Sequence, residues 1–183
     1  MLSLSGVMAL SPIMVYASMD QLKKFATLKR DKPMVSGSLD DTKTSLVSAE
    51  EFARLLHQGL PIAADSNAQV NEMGFGLCVM RFPANEKFVR PGGTISGPTM
   101  FALADASLWG AVLSAIGAVE LAVTTNLNLN FLRKPALDRD LIAETRLIKL
   151  GRRLAYGESF LYSDGEDEPV AHATGTYSIP PER

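Results

Sequence analysis

The chain is poor in the residues that build disulfides and metal sites. Its 183 residues include one cysteine, Cys78, and two histidines, His57 and His172, which lie far apart in the sequence. A single cysteine cannot close an intrachain disulfide, and no cysteine and histidine lie at a recognisable ligand spacing. Cys78 belongs to an apolar strand pattern, so we expect a small buried hydrophobic side chain. The sequence therefore indicates neither a disulfide scaffold nor a metal centre.

Basic residues are also not in excess. The chain has 18 lysines and arginines against 20 acidic residues, a net charge of −2. Nucleic-acid binding needs a basic face, so we do not expect it here. No lysine or arginine precedes Lys23, and a secretory signal would need one. We expect a cytoplasmic protein in which residues 1–47 are an N-terminal extension, or in part the product of a start codon assigned too far upstream.

Charge is almost missing from one long segment, residues 91–119, where Asp105 is the single ionisable residue. Gly97 and Pro98 suit the first turn of a helix, and Gly117 suits its end. A helix of about twenty residues that is apolar on nearly every face is either buried in a core or spans a membrane. Because a carboxylate is costly at the centre of a bilayer, we predict a buried core helix. Asp105 is then either hydrogen-bonded scaffold or a group used in chemistry.

A first helix and a series of long strands joined by tight turns fill the rest of the predicted domain, residues 48–183. Ser48 and Glu51 form a capping box at the start of a first helix. The strands are predicted at residues 68–73, 75–82, 122–132, 141–150, 154–163 and 170–179. Because the turns joining the last strands are short, neighbouring strands must be antiparallel. This pattern predicts an α+β domain whose sheet wraps over the central helix.

Alternation along the strand at 122–132 assigns its side chains to two faces. One face is predicted to carry Val123, Thr125, Leu127, Leu129 and Phe131. The other is predicted to carry Thr124, Asn126, Asn128 and Asn130. The asparagine face is expected to be the wetter face of the sheet or a subunit contact.

Two segments together carry a resemblance to a known family. They are residues 96–105, SGPTMFALAD, and residues 124–132, TTNLNLNFL. They are similar to the corresponding segments of hotdog-fold acyl-CoA thioesterases of the phenylacetate-degradation (PaaI-like) type. The resemblance covers roughly residues 48–180. It implies the hotdog fold, a long central helix wrapped by a curved antiparallel β-sheet, and hydrolysis of a CoA thioester without a further cofactor.

The resemblance also implies roles for particular residues. Asp105 falls on the catalytic carboxylate, as general base or nucleophile, and Thr124 on a residue that helps to hold the attacking water. Gly97 falls on the glycine whose backbone N–H polarises the thioester carbonyl. Ser96 stands where the family usually has histidine, and Arg90 where some members have asparagine, so both are expected to bind the substrate. The carboxylate and the oxyanion donor are both kept.

Gly97 and Asp105 are too far apart to serve one carbonyl from a single chain. They are eight residues apart, or about 12 Å along a helix. A twofold dimer with antiparallel helices would bring Gly97 of one subunit to Asp105 of the other. We therefore expect a homodimer, and the resemblance is consistent with a dimer or a tetramer made of two dimers.

Other residues are candidates for binding the substrate. Trp109, one turn after Asp105, is predicted to be core or pocket wall. The phosphates of coenzyme A need cationic groups. Arg152 and Arg153 are the preferred candidates, with Arg133 and Lys134 as a second pair at the other end of the strand.

Two other functions remain possible on the same fold. A hydratase or dehydratase usually needs a histidine paired with a carboxylate, and neither histidine lies in the central helix motif. A non-catalytic acyl-CoA-binding sensor would keep the pocket without turnover, and Ser96 in place of histidine is the best support for it. The identity of the acyl group is left open.

Overall fold

A computed structural model of the chain describes residues 39–181. Helix α1 spans Ala49–Gly59 and a short helix α2 spans Pro61–Asp65. The Ser48 side chain accepts a hydrogen bond from the Glu51 N–H at 3.1 Å, which confirms the predicted cap. Phe52 and Leu56 are the buried residues of α1 and join the core.

Residues 39–47 run along the domain. The Leu39 N–H donates to the Phe75 carbonyl and the Leu46 N–H to the Ser114 carbonyl. Val47 is buried in the core. Most of the predicted N-terminal extension, residues 1–38, lies outside the described residues.

The central helix, α3, spans Gly97–Ile116, as the sequence predicts. Ser96 caps its first turn, and Gly117 ends it with a φ of 86°, a conformation that favours glycine. By length and composition α3 could cross a membrane, but most of it is buried inside the domain. The apolar faces of the helix are therefore explained by the core.

A six-stranded antiparallel sheet packs on α3, in the order β1-β2-β6-β7-β8-β5. Its strands are β1 Gln69–Gly74, β2 Leu77–Phe82, β5 Val123–Phe131, β6 Leu141–Leu150, β7 Leu154–Ser163 and β8 Ala171–Ser178. A separate hairpin of β3, Val89–Arg90, and β4, Thr94–Ile95, leads into α3. The predicted bounds of β6 and β7 are confirmed, and those of the other long strands differ by one or two residues.

Small residues let α3 approach the sheet and α1 closely. A Cβ at Gly157 or at Gly175 would lie 2.9 Å from a methyl carbon of Leu108. A Cβ at Gly110 would lie 2.6 Å from the Cys78 sulfur, so the helix could not keep this position with a larger residue. Cys78 is buried as expected, and burial raises the pKa of its thiol to about 12.

The predicted faces of β5 are wrong for Thr124 and Val123, because the strand contains a β-bulge. Thr124 pairs with Tyr177 and Asn126 pairs with Thr176, so Thr125 is an extra residue in the ladder. The bulge moves Thr124 to the face of Leu127 and Leu129, toward α3. Val123 moves to the opposite face with the asparagines.

Candidate active site

Asp105 lies in the middle of α3, half-buried, on the side that faces β5 and β8. The Thr124 hydroxyl donates a hydrogen bond to its Oδ1 at 2.8 Å. The Tyr177 hydroxyl lies 2.8 Å from the same Oδ1 and 2.8 Å from the Asp105 backbone carbonyl oxygen. Two hydroxyl groups from two neighbouring strands thus converge on one carboxylate oxygen.

The register of the sheet brings these two hydroxyls together. Thr124 and Tyr177 are directly paired across β5 and β8, so their side chains share a face. Alternation along β8 buries Ala171, Ala173 and Tyr177 on the helix side. The bulge at Thr125 then places Thr124 on that side as well. If Thr125 were an ordinary residue of the ladder, strict alternation would point the Thr124 side chain away from Asp105.

Tyr177 is held in its protonated form. The side chain is almost fully buried, and its burial raises the pKa of the phenol far above the usual range. The neighbouring Asp105 carboxylate raises this pKa further, because a second negative charge nearby is unfavourable. Tyr177 is therefore a permanent hydrogen-bond donor to Asp105 at physiological pH.

A pocket of about 470 Å³ opens beside Asp105. Its apolar wall comes from α1, the α1–α2 turn, α3 and the start of β5. Its lining residues are Leu55, Gln58, Gly59, Leu60, Asp105, Ala106, Trp109, Glu120, Ala122, Val123, Thr124 and Tyr177. A concave, mostly apolar site with a few convergent polar groups is typical of a small-molecule site.

Trp109 forms part of this pocket wall, as the sequence predicts. Its indole packs edge-on against Phe52 of α1, with ring centroids 5.4 Å apart. The indole Nε1 is buried and has no hydrogen-bond partner within residues 39–181. The ring therefore acts as an apolar wall that joins α1 to α3.

Gly97 opens into a different pocket, of about 560 Å³, at the N-terminus of α3. Arg90, Arg133 and Lys134 line it together with Phe131. The Phe131 ring lies against Gly97, since a Cβ there would be 3.0 Å from Phe131 Cζ. Within one protomer, Gly97 and Asp105 are thus in separate pockets, as their spacing in the sequence predicts.

The Ser96 hydroxyl forms the N-cap of α3. Its Oγ accepts a hydrogen bond from the Thr99 N–H at 3.2 Å and lies 2.8 Å from the Thr99 hydroxyl. The predicted cap is therefore present. The backbone carbonyl of Ser96 also accepts from the Met100 N–H.

Arg152 and Arg153 lie in the turn between β6 and β7. They line a groove of about 540 Å³ that includes neither Asp105 nor Gly97. This turn is near the Val123 end of β5, because Leu154 and Val123 both pair with Ser178. Arg133 and Lys134 follow the other end of β5. The two basic clusters are at opposite ends of the sheet, as predicted.

Tyr177, Glu120 and the α1 residues of the pocket were not predicted from the sequence as site residues. Alternation in β8 does place Tyr177 on the same face as Ala171, Ala173 and Gly175. A lone phenol among small inward-facing residues is a usable signal, because a buried hydroxyl needs a partner. Nothing in the local sequence identifies Asp105 as that partner.

Known proteins share this fold and these segments. Residues 92–170 match the family model of the thioesterase superfamily. A proposed esterase from Saccharolobus solfataricus is 34% identical over 104 residues, which cover 57% of this chain and 67% of the relative. A proposed thioesterase from Silicibacter sp. TM1040, known from its crystal structure, is 44% identical with a TM-score of 0.68. That match covers 75% of this chain and 94% of the other.

The chain belongs to the thioesterase superfamily and has its hotdog fold, in which a long central helix packs against a curved antiparallel sheet. The phenylacetic acid degradation protein PaaI from Thermus thermophilus shares this fold. It superposes with a TM-score of 0.59 at 23% identity, covering 66% of this chain and 99% of that protein. The predicted family and fold are confirmed, and they support hydrolysis of thioesters in general.

Proposed function

We propose that the protein is an acyl-CoA thioesterase that releases a free acid and coenzyme A, with Asp105 as its catalytic carboxylate. The observation that carries this proposal is the Asp105 carboxylate, held by the Thr124 and Tyr177 hydroxyls beside a mostly apolar pocket. The pocket would take the acyl group, and the carboxylate would lie near the thioester carbonyl.

Two routes through Asp105 lead to the same products. As a general base, the carboxylate takes a proton from water while the water oxygen bonds to the carbonyl carbon. As a nucleophile, the carboxylate itself bonds to that carbon, and water then hydrolyses the resulting anhydride. In both routes the carbon–sulfur bond breaks and the thiolate of coenzyme A leaves and takes up a proton.

Charge on the carbonyl oxygen needs a donor, and the Gly97 N–H is the candidate. An N–H in the first turn of a helix has no acceptor within the helix and lies at the positive end of the helix dipole. Because Gly97 is in a different pocket from Asp105, the donor would come from a second copy of the chain.

The contacts within one protomer specify how two copies would fit. Thr124 at one end of β5 bonds to Asp105, and Phe131 at the other end contacts Gly97. Antiparallel pairing of β5 with its copy, centred on Asn128, would pair Leu127 with Leu129 of the partner subunit. Because Thr125 is an extra residue in the bulge, Thr124 would then lie close to Phe131 of the partner subunit. Paired strands are about 4.8 Å apart, so Gly97 of the partner subunit would come close to Asp105.

Exposed apolar side chains lie where this pairing would bury them. Phe101, halfway between Gly97 and Asp105, is 42% exposed, and Phe131 is 57% exposed. Within residues 39–181, β5 pairs with β8 alone and leaves its other edge open. Phe101 is the midpoint of the α3 segment from Gly97 to Asp105, and the proposed centre of the strand pairing is near the middle of β5. One twofold axis could therefore relate both the two helices and the two strands, which supports a homodimer.

The phosphates of coenzyme A have two candidate clusters. Arg152 and Arg153 remain the sequence-based proposal. In the proposed dimer, Arg90, Arg133 and Lys134 would reach the site together with Gly97, because they share its pocket. Arg133 forms a salt bridge with Glu168, which would have to compete with the phosphate.

A thioester that lacks the phosphates of coenzyme A can show which of the two basic clusters binds those phosphates. Arg133→Ala with Lys134→Ala should raise KM for a CoA thioester and leave KM unchanged for the N-acetylcysteamine thioester of the same acid, which has no phosphates. Arg152→Ala with Arg153→Ala is the matched comparison. Equal KM values for wild type and both double variants on the CoA thioester would remove both clusters from phosphate binding.

The proposed activity is tested by thiol release from CoA thioesters with short, long and aromatic acyl groups. Asp105→Asn should lower turnover by about 10²–10⁴-fold, the usual contribution of a positioned acid–base group, with the fold retained. Glu120→Gln, which removes the other carboxylate of the same pocket, is the control for a general loss of charge. A folded Asp105→Asn protein with near wild-type turnover would remove Asp105 from the mechanism.

A non-catalytic acyl-CoA-binding sensor is the second candidate. The observation that favours it is Ser96, whose hydroxyl is used in the helix cap where related enzymes usually have histidine. Calorimetric binding of CoA thioesters without thiol release from any acyl chain would establish the sensor and overturn the thioesterase.

A further inference from the structure

We propose that Tyr177 is a positioning residue of the reaction, whose hydroxyl fixes Oδ1 of Asp105 together with Thr124 and leaves Oδ2 to act on water or on the thioester. This inference rests on the proposed role of Asp105 and adds a division of labour between its two oxygens. It also gives a function to a residue 72 positions away from Asp105 in the chain.

The side-chain hydrogen bonds to the Asp105 carboxylate go to one of its two oxygens. Thr124 and Tyr177 both lie 2.8 Å from Oδ1. Tyr177 also lies 2.8 Å from the backbone oxygen of Asp105, so the phenol contacts both the side chain and its backbone. Within residues 39–181, no donor is within hydrogen-bonding distance of Oδ2. The carboxylate therefore has one anchored oxygen and one oxygen available to a ligand in the pocket.

The electrostatics of the pocket make these two hydroxyls important. Among the described residues, the charged side chains that line the pocket are Asp105 and Glu120. No lysine, arginine or histidine of the described residues lines it. Among the described residues, the partners of the Asp105 carboxylate are therefore hydroxyl donors rather than cations. Hydrogen bonds donated to a carboxylate favour its ionised form, which is the form that can accept a proton or attack a carbonyl.

Tyr177 is suited to this role because it stays protonated. Its burial and the nearby Asp105 carboxylate both raise the pKa of the phenol, so it remains a donor across the working range of the enzyme. Thr124 is the more exposed of the two donors within one protomer. Tyr177 lies one strand further in and is almost fully buried.

The test is Tyr177→Phe, which removes the hydroxyl and keeps the ring. We expect kcat to fall by about 10–100-fold, the effect of losing one hydrogen bond to a charged group, while KM changes little. Because the ionised carboxylate loses a donor, the acid limb of the kcat/KM profile should move to higher pH by about one unit. A purely structural tyrosine would not move this limb.

Tyr162→Phe is the matched control, because Tyr162 is a buried tyrosine of β7 that does not line the pocket. It should leave kcat and the acid limb unchanged even if it lowers the melting temperature. A folded Tyr177→Phe protein with wild-type kcat and an unshifted acid limb would overturn the proposal.

A second variant keeps the proposal testable if Tyr177→Phe does not fold. Thr124→Val removes the other donor to Oδ1, and its acid limb should move in the same direction. An unshifted limb in Thr124→Val would contradict the anchoring of Oδ1. If Asp105→Asn were fully active, the proposed function would fail as a whole, whereas an inactive Asp105→Asn with a normal Tyr177→Phe would overturn the role of Tyr177 alone.

Discussion

At the scale of single residues, we expect substitution of Ser96 to affect the stability of the protein more than its catalysis. Its hydroxyl accepts the Thr99 N–H, and loss of such a cap costs about 0.5–2 kcal/mol. We expect Ser96→His to lower the free energy of unfolding by this amount, as measured by urea denaturation. Turnover should change little, because the Ser96 hydroxyl is used by the cap and the Gly97 N–H is kept in the variant.

Ser96→Ala is the control, since it removes the cap without adding an imidazole. The two variants should lose similar stability. If Ser96→His hydrolysed any CoA thioester faster than both Ser96→Ala and the wild type, an imidazole at position 96 would be orienting the substrate, contrary to this expectation.

At the scale of the elements, the pairing of Thr124 with Tyr177 keeps Thr124 facing α3, and the β5 bulge absorbs the extra residue Thr125. Deletion of Thr125 would leave a regular ladder in which Thr124 still pairs with Tyr177 and Asn126 with Thr176. We expect turnover to change by less than about tenfold, because no hydrogen bond to a charged group is lost. Thiol release measures turnover, and circular dichroism checks the fold.

The deletion is interpreted against Thr125→Ala, which keeps the chain length. Thr125 donates from its hydroxyl to the Thr176 carbonyl at an exposed position, so this substitution should have little effect on turnover. A large loss of turnover in the deletion variant but not in Thr125→Ala would show that the bulge itself is needed to hold Thr124 in place.

At the scale of the whole molecule, the proposed site is shared between subunits, and a mixture of two inactive variants can test it. Asp105→Asn removes the carboxylate, and Gly97→Pro removes the N–H at the start of α3. Proline is tolerated in the first helical turn, and Ser96 has the extended backbone that a following proline requires. A Cβ at position 97 would lie 3.0 Å from Phe131 Cζ, so Gly97→Ala, which adds a Cβ and keeps the N–H, is the control. Light scattering should show that each protein is at least a dimer.

Each variant alone should be inactive, and a refolded equal mixture should regain about a quarter of the wild-type activity. Half of its dimers would be mixed, and each mixed dimer would have one site with both Asp105 and Gly97 intact. No recovery from a verified heterodimer, or an active monomer of the wild type, would contradict the shared site.

Much of this fold could be predicted from the sequence because helix caps, alternation and turns depend on residues close together in the chain. Ser96, Pro98 and Gly117 act within a turn of their own position, so the bounds of α3 could be predicted. The bounds of β6 and β7 follow from alternation and short turns. Asp105 was a candidate because it is the single charge in a long apolar segment.

The tertiary structure decided what surrounds that charge. Tyr177 reaches Asp105 only through the pairing of β8 with β5 and the position of α3 on the sheet. The bulge at Thr125 is defined by a partner strand some fifty residues later, so alternation alone assigned Thr124 to the wrong face. Capping and periodicity are local properties of the chain, whereas the partners of a buried carboxylate depend on strand register and helix packing, which are set by the whole domain.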